Sequence, residues 1–406
     1  MEFDLSWLLL GLPLAFVLGW GASRFDLRQL RLENKQAPKS YFKGLNYLLN
    51  EQQDQAIDAF IEAVQNDPDT SELHFALGNL FRRRGEFERA VRVHEHLLSR
   101  ADLTPTDRDR AQHALALDFL KAGLLDRAET ALKKLEGTTF ESTSRLALLA
   151  IYERSRDWPQ AAEIAQRMTQ AQQGQFANRE AHYLCEQALQ EAHTKPELAL
   201  ERLDQAIQTA PEAPRAYLEK AKLLATLQQF QAVDACLTLL SQRCPGHIPL
   251  GALLWAQAAN KTQQQARVDL MLQKLDADRP SLDLLEARIG LIDNGQNAPS
   301  DALQKTLALY ESHLEKEPSL VAASGWLQAQ AQAQVQAHAT TQLSLTSSES
   351  PPTAWPKTLQ RALDRATLPL SRYRCAACGF EAKTYFWHCP GCQSWDSFPP
   401  QRIEEL

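Results

Sequence analysis

The stretch Leu73–Asp102 reads LHFALGNLFRRRGEFERAVRVHEHLLSRAD, and its spacing of small and large residues decides the fold. Gly78 lies twelve residues before Ala90, while His94 and Leu97 lie four and seven residues after it. Offsets of three, four and seven place residues on one face of a helix. The stretch therefore predicts two helices joined by a turn, with small residues where the two helices approach each other.

The same pattern recurs along the chain at intervals of 33 to 38 residues. One such unit cannot bury its apolar face alone, so successive units are expected to stack. The residues that anchor the second helices are Ala56, Ala90, Ala128, Ala161, Ala199, Val233 and Val268. Prolines that would end these helices stand at Pro68, Pro211, Pro245 and Pro280. The pattern weakens at residues 180–211, and a degenerate eighth unit is expected to end at Pro318, so we predict seven to nine units.

This helix–turn–helix unit of about 34 residues resembles the tetratricopeptide repeat. The resemblance implies an all-α superhelical solenoid whose first helices line a concave groove. Arrays of this kind normally bind extended peptides or partner helices. The chain carries no phosphate-binding Gly-rich loop, no Gly-x-Ser-x-Gly elbow and no His-Glu-x-x-His pair. We therefore predict that the protein is not an enzyme.

Charge composition does not favour a general nucleic-acid binder, because the formal net charge is −7 and the pI is near 5.9. One basic cluster, Arg82–Arg84 with Arg89 and Arg92, could anchor an acidic partner or could be a solvated helix end. His94 and His96 point in different directions on a helix, so a shared metal ion is not expected.

An apolar run near the N-terminus, Leu5–Ala22, reads LSWLLLGLPLAFVLGWGA. As a helix, its residues would span roughly 27 Å, close to the thickness of a bilayer core. Acidic residues precede the run and basic residues follow it from Arg24 onward. A cleaved signal peptide is the competing interpretation, but it would need a basic start. We expect a retained single-pass anchor, with the N-terminus outside and the rest of the chain in the cytoplasm.

Cys375, Cys378, Cys389 and Cys392 form a Cys-x2-Cys-x10-Cys-x2-Cys motif near the C-terminus. Two closely spaced pairs can surround one metal ion tetrahedrally, so we predict all four as metal ligands. Zinc is the expected metal and iron is the alternative, since both accept four thiolates. Two disulfides are the competing interpretation and are disfavoured in a reducing compartment.

Other cysteines and the aromatic residues near the motif have simpler expected roles. Cys185, Cys236 and Cys244 are isolated and are predicted to be packing residues. Seven aromatic residues surround the four-cysteine motif. They could stack on nucleic-acid bases, but covering the metal and docking on the helical array is the favoured interpretation.

The chain divides into five predicted segments. Residues 1–23 are the anchor and residues 24–37 a basic juxtamembrane segment. The repeat array is expected over residues 38–337, followed by a Ser/Thr/Pro-rich linker at 338–356. A short helix and the cysteine module complete the chain at 357–406.

The motifs Tyr373-Arg374-Cys375-x2-Cys378-Gly379-Phe380 and Trp387-x-Cys389-Pro390-x-Cys392-x2-Trp395, together with the anchor and the repeats, resemble the lipopolysaccharide assembly protein B family of Gram-negative bacteria. The resemblance implies a rubredoxin-like four-cysteine zinc ribbon that packs against the repeats. The implied fold class is thus an all-α tetratricopeptide-repeat superhelical solenoid with an N-terminal transmembrane helix and that small ribbon.

The same resemblance implies a non-enzymatic adaptor in the cell inner membrane, with its N-terminus in the periplasm. Such an adaptor promotes degradation of the lipid A-committing deacetylase by a membrane-bound AAA+ metalloprotease. It also associates with lipopolysaccharide transport proteins. Two alternatives remain open from the sequence: a general tetratricopeptide scaffold for another envelope or secretion assembly, and an iron-binding electron-transfer protein of rubredoxin type. No nucleic-acid partner is implied, and the sequence leaves a homodimer open.

Overall fold

The computed structural model describes residues 16–20, 39–66, 70–292, 299–341 and 357–406. The chain divides into two compact units, Met1–Arg156 and Asp157–Leu406, and each is described by itself. The first unit contains the helices α1 (Lys39–Leu49), α2 (Gln53–Asn66), α3 (Ser71–Arg84), α4 (Phe87–Ser99), α5 (Pro105–Lys121), α6 (Leu125–Lys133) and α7 (Glu141–Ser155).

The second unit contains eleven described helices, two short strands and two 3-10 turns. Its helices are α8 (Trp158–Gln170), α9 (Ala177–Glu191), α10 (Pro196–Thr209), α11 (Pro214–Thr226), α12 (Phe230–Arg243), α13 (Pro249–Thr262), α14 (Gln265–Asp278), α15 (Leu282–Ile292), α16 (Pro299–Lys316), α17 (Leu320–Thr341) and α18 (Lys357–Thr367). Strands β1 (Tyr373–Arg374) and β2 (Glu381–Ala382) pair antiparallel, and the 3-10 turns are Pro245–His247 and Ile403–Glu405.

Local sequence signals set the helix boundaries. Gly85 ends α3 in the left-handed conformation at φ 84°, and its N–H donates to carbonyl groups of the last turn. Glycine reaches this conformation without the steric cost that a Cβ would add. At the start of α5, the Thr104 hydroxyl accepts a hydrogen bond from the Asp107 N–H at 3.1 Å, and Pro105 occupies the first turn.

The repeat anchors form the centre of the core in both units. All seven are fully buried on second helices: Ala56, Ala90, Ala128, Ala161, Ala199, Val233 and Val268. In the second unit, the cluster around Val233 and Val268 also buries Trp255 completely. The predicted all-α tetratricopeptide-repeat solenoid with a C-terminal four-cysteine ribbon is thereby confirmed. Residues 177–209 form the same helix pair even though the sequence pattern is weak there.

The predicted inner-membrane localisation is wrong, and the predicted N-terminal transmembrane helix is not supported. Within the described part of the chain, no helix is both long enough and apolar enough to cross a bilayer. Of the run Leu5–Ala22, only residues 16–20 are described, and they are helical.

Several other predicted features fall partly outside the described residues. The rest of the Leu5–Ala22 run, the basic segment at 24–37 and Pro68 lie there. Of the predicted linker at 338–356, residues 338–341 belong to α17 and the remainder lies outside the described residues.

A buried polar network joins the helix pair of the opening stretch to α5. His94 and Asp118 are both fully buried, and His94 Nδ1 donates to Asp118 Oδ2 at 2.5 Å, since a carboxylate can only accept. Arg82 donates to the other oxygen of Asp118 at 2.8 Å. The His94 ring lies against Gly78, where a Cβ would come within 2.5 Å of the ring atoms.

Replacing Gly78 with alanine should therefore destabilise the first unit by about 1–3 kcal/mol, because the ring must move to make room. Equilibrium denaturation followed by far-UV circular dichroism measures the change. A double-mutant cycle with His94→Ala provides the control, since removal of the ring should abolish most of the cost of Gly78→Ala. Additive costs would contradict this packing.

Candidate metal centre and its docking surface

The first cysteine pair lies on a tight turn between β1 and β2. The Cys375 N–H donates to the Phe380 carbonyl at 2.9 Å, and the Gly379 N–H donates back to the Cys375 carbonyl at 2.9 Å. Gly379 has φ 77°, a conformation that favours glycine. These bonds curl the backbone so that Cys375 and Cys378 point to the same side.

The second pair repeats this arrangement. The Cys389 N–H donates to the Ser394 carbonyl at 2.9 Å, and the Gln393 N–H donates to the Cys389 carbonyl at 2.8 Å. Gln393, at φ 59°, takes the place that Gly379 has in the first turn. Two equivalent turns thus present two sulfur atoms each.

The four sulfur atoms have the geometry of a tetrahedral thiolate site. All lie within 4.8 Å of one another. The Sγ atoms of Cys375 and Cys392 are 3.8 Å apart, and those of Cys378 and Cys389 are 3.7 Å apart. A tetrahedron with metal–sulfur bonds of about 2.3 Å has sulfur–sulfur edges of about 3.8 Å. A disulfide bond would need about 2.05 Å, so the predicted competing disulfides do not match this arrangement.

The ionisation of these thiols also favours a bound cation. Burial would raise the pKa of Cys375, but hydrogen bonds from Ser397 and from the backbone of Cys378 and Ala377 outweigh it and lower the pKa to about 6. A backbone hydrogen bond near Phe380 lowers the pKa of Cys378, yet burial and the neighbouring cysteines raise it to about 12. Adjacent sulfurs cannot all carry negative charge without a compensating cation.

Trp395 docks the module on the repeats of the second unit. Its ring stacks on His182 at 4.7 Å between centroids and meets Trp158 and Tyr183 edge-on at 6.3 and 6.0 Å. Aromatic pairs in these arrangements contribute beyond their buried area. Trp395 therefore fixes the module to α8 and α9.

A polar network beside Trp395 orients the same contact. His182 Nε2 donates to Asp396 Oδ2 at 2.8 Å, while Arg215 approaches His182 Nδ1 at 3.5 Å. In this arrangement Nε2 is the donor and Nδ1 the acceptor. Arg215 is nearly buried and pairs with Glu186 at 2.6 Å.

Trp387 joins the module to the repeat core itself. It is buried within the cluster that contains Trp255 and the anchors of α12 and α14. Its ring stacks on His247 at 6.3 Å and meets Tyr385 edge-on at 4.8 Å. The aromatic residues near the cysteines therefore dock the module, as the favoured interpretation of the sequence predicted.

The C-terminal tail adds a buried ion pair. Arg402 forms a two-pronged contact with the buried Asp283, which also accepts a hydrogen bond from the Tyr373 hydroxyl at 3.1 Å. Burial would lower the pKa of Arg402, but Asp283 and then Glu286 raise it above its usual value. The tail is thus held charged against α15.

Glu404 and Glu405 cap the N-termini of two repeat helices. Glu405 Oε1 accepts the Leu282 N–H at 2.5 Å, at the start of α15. Glu404 accepts the backbone N–H groups of Leu320 and Val321, the latter at 3.2 Å, at the start of α17. The first N–H groups of a helix lack partners within it, and a carboxylate also complements the helix dipole.

These contacts share a position in the repeat. They lie near the starts of the first helices α9, α11, α13, α15 and α17, and the contacting residues there are His182, Arg215, Leu250, Asp283 and Val321. The sequence analysis did not single out these residues or the two tail glutamates. The available signal was a polar residue near the start of a first helix, as at His182, Arg215 and Asp283, which are all buried.

The remaining predicted residues lie apart from the metal centre. Burial raises the pKa of Cys185 to about 12 and of Cys236 to about 11, which fits packing residues. His94 faces Asp118, whereas His96 stacks on His74 at 5.5 Å, so the two imidazoles diverge as expected.

The basic cluster is largely paired within the chain. Arg82 contacts Asp118, Arg84 contacts Asp54 and Glu86, and Arg89 contacts Glu86. These three arginines are therefore engaged internally and are not available as a combined acidic-partner site.

Family models match both parts of this architecture. The rubredoxin metal binding domain matches residues 373–400, and tetratricopeptide repeat models match residues 73–109 and 189–245. A four-cysteine metal-binding ribbon is present, and these matches do not specify the metal.

Curated relatives match along nearly the entire chain. Lipopolysaccharide assembly protein B of Escherichia coli strain K12 is 29% identical, with 98% of each chain covered. The Haemophilus influenzae protein of the same name is 26% identical, again with 98% of each chain covered. The chain is homologous to lipopolysaccharide assembly protein B. The resemblance inferred from the sequence motifs is confirmed.

Solved structures give weaker matches. A structure of Naa15/Naa10 bound to HypK-THB matches with a TM-score of 0.41 at 15% identity, covering 72% of this chain and 46% of that one. The TPR2AB domain of yeast Sti1 matches with a TM-score of 0.32 at 14% identity, covering 69% and 99%. Scores this low do not bear on function.

Replacing Cys378 with serine should abolish binding of one metal ion per chain, because a tetrahedral site would lose a thiolate ligand. Elemental analysis of the purified protein measures the metal content and identifies it. A colourless protein containing zinc is expected, whereas iron–thiolate sites absorb visible light. Cys244→Ser is the matched control, since its hydroxyl can still donate to the Glu212 carbonyl as the thiol does at 3.1 Å. Equal metal content in the two variants would contradict the assignment.

Replacing Glu404 with alanine should destabilise the start of α17 by about 1–2 kcal/mol, because its first N–H groups lose their acceptor. Faster amide hydrogen exchange at Leu320 and Val321 would report the loss. Leu406→Ala is the control, since that side chain is exposed and makes no cap. Unchanged exchange in Glu404→Ala would show that the cap does not stabilise the helix.

Proposed function

We propose that the protein is a non-enzymatic adaptor that regulates lipopolysaccharide assembly by binding other proteins. The observation that carries this proposal is homology to lipopolysaccharide assembly protein B across 98% of the chain, together with the repeat architecture. Repeat arrays of this kind present extended surfaces suited to protein recognition. The proposed segments for this role are the array at 38–337 and the module at 357–406.

The proposed partners are the lipid A-committing deacetylase and a membrane-bound AAA+ metalloprotease that degrades it, with lipopolysaccharide transport proteins as further partners. Simultaneous binding of substrate and protease would raise their effective concentration and speed delivery without any chemistry by the adaptor. A homodimer remains part of the proposal.

In this proposal, zinc held by Cys375, Cys378, Cys389 and Cys392 has a structural role. The module has room for two short turns and little core of its own, so metal binding would supply much of its folding free energy. The folded module would then hold the first turns of α9 to α17 through Trp395, Arg402 and the two tail glutamates. Loss of the metal should therefore weaken the repeats that the module contacts.

The proposal predicts that Cys375→Ser with Cys378→Ser lengthens the cellular half-life of the deacetylase several-fold, because an unfolded module no longer supports the adaptor. The measurement follows deacetylase decay by immunoblotting after protein synthesis is stopped, with adaptor levels monitored in parallel. Cys244→Ser serves as the control and should leave the half-life unchanged. An unchanged half-life in the double variant, at normal adaptor levels, would refute the role.

A further inference from the structure

Three basic residues recur at one position of successive repeats in the first unit. Arg83, Lys121 and Arg154 each lie seven residues before a buried anchor, namely Ala90, Ala128 and Ala161. They stand in the last turns of the first helices α3, α5 and α7. We call these three residues the cation row.

The members of the cation row have no partner among the described residues, and Lys43, Arg92, Lys134 and Arg156 of the same unit share this property. All three side chains are exposed, and none forms an ion pair or hydrogen bond with another described residue. Most arginines of the unit are paired, including Arg82 with Asp118 and Arg110 with Glu72. The cation row therefore belongs to the exposed basic residues that the described part of this unit leaves unpaired, and it is distinguished by its recurring repeat position.

A neutral row lies beside the cations on the same helix faces. It occupies the positions four residues earlier, which share a face with the cation row. Its members are Leu45, Asn79, Leu117 and Ala150, all exposed or half-buried. In the first repeat, the exposed Leu49 takes the place of a cation. Glu153, next to Arg154, is the nearest acidic group in the chain sequence.

The helix dipole accounts for only part of this arrangement. A cation in a last turn gains about 0.3–1 kcal/mol from the dipole. A cation on any side of the last turn obtains this stabilisation. The helix dipole therefore does not explain why a basic residue occupies the same repeat position in three repeats. It also does not explain the uncharged row beside the cations.

The equivalent first-helix positions of the second unit lack this pattern. Ala192 and Thr226 stand there, and Lys261 is the exception. Basic residues thus fill three of the four equivalent positions in the first unit, where Leu49 is the other, and one of three in the second unit.

We propose that the cation row and the neutral row form a docking surface for an acidic segment of a partner protein. Carboxylates spaced along the segment would pair with the cation row, while apolar side chains between them would lie on the neutral row. Complementary charge raises both the rate and the specificity of such an encounter. This inference deepens the proposed adaptor function and rests on it.

The test measures binding of the full-length protein to a fluorescein-labelled peptide of alternating glutamate and leucine, about 12 residues long, by fluorescence anisotropy. The native protein should bind it, and affinity should fall as salt rises because the charges are screened. The double variant Arg83→Glu with Lys121→Glu should lose at least tenfold in affinity. A peptide with glutamine in place of glutamate should bind at least tenfold more weakly.

The matched control is Arg92→Glu with Lys134→Glu, which makes the same change in net charge on second helices. It should bind the peptide within about twofold of the native protein, since only contacting charges matter strongly. Circular dichroism of both double variants checks that the helices remain folded. Equal losses in the two variants, or no binding by the native protein, would overturn the proposal.

Vesicles of anionic phospholipid provide a further arm. Binding to them that depends on Arg83 and Lys121, without binding of the acidic peptide, would also overturn the proposal. None of these assays contains the deacetylase or the protease, so a failure here is separate from a failure of the adaptor role.

Discussion

A helix pair of about 34 residues cannot bury its own apolar face, and this constraint governs both units of the chain. Each anchor, such as Ala90 or Val233, is fully buried only because a neighbouring helix covers it. Small residues are required where the helices approach most closely, which is why the His94 ring can lie directly on Gly78. The array therefore always ends in helices whose outer faces and first turns need other partners.

The metal module meets that need along the second unit, from α9 to α17. It carries too few apolar residues to fold on its own core. Trp387 enters the repeat core, while Glu404 and Glu405 accept the unpaired N–H groups of α17 and α15. Each part thus completes the hydrogen bonds and the packing of the other. A metal site that looks local in sequence consequently supports helices far from it.

Whether a feature of the fold or of the metal site could be predicted depended on how far apart the interacting residues lie in the sequence. The repeat anchors and the four cysteines follow from short spacings, because helix periodicity and tight turns act over a few residues. The docking contacts join residues far apart, such as His182 and Asp396, which are 214 residues apart. From the sequence alone, a polar residue such as Asp283 is expected to be exposed to solvent. In the structure it is buried, because residues distant in the sequence pack against it. The membrane prediction rested on apolar composition near the N-terminus, and no helix within the described residues is long and apolar enough to cross a bilayer.

The specificity of the contact between the metal module and the repeats depends more on polar groups than on the buried area. A buried charge pair often adds little net stability, because desolvation offsets the attraction. It does penalise every misaligned arrangement, since an unpaired buried charge costs far more than a lost apolar contact. Arg402 with Asp283 therefore selects one orientation of the module on the repeats. In the first unit, by contrast, the cation row is exposed and unpaired among the described residues. Charges that bind a separate partner protein are expected to be in this state.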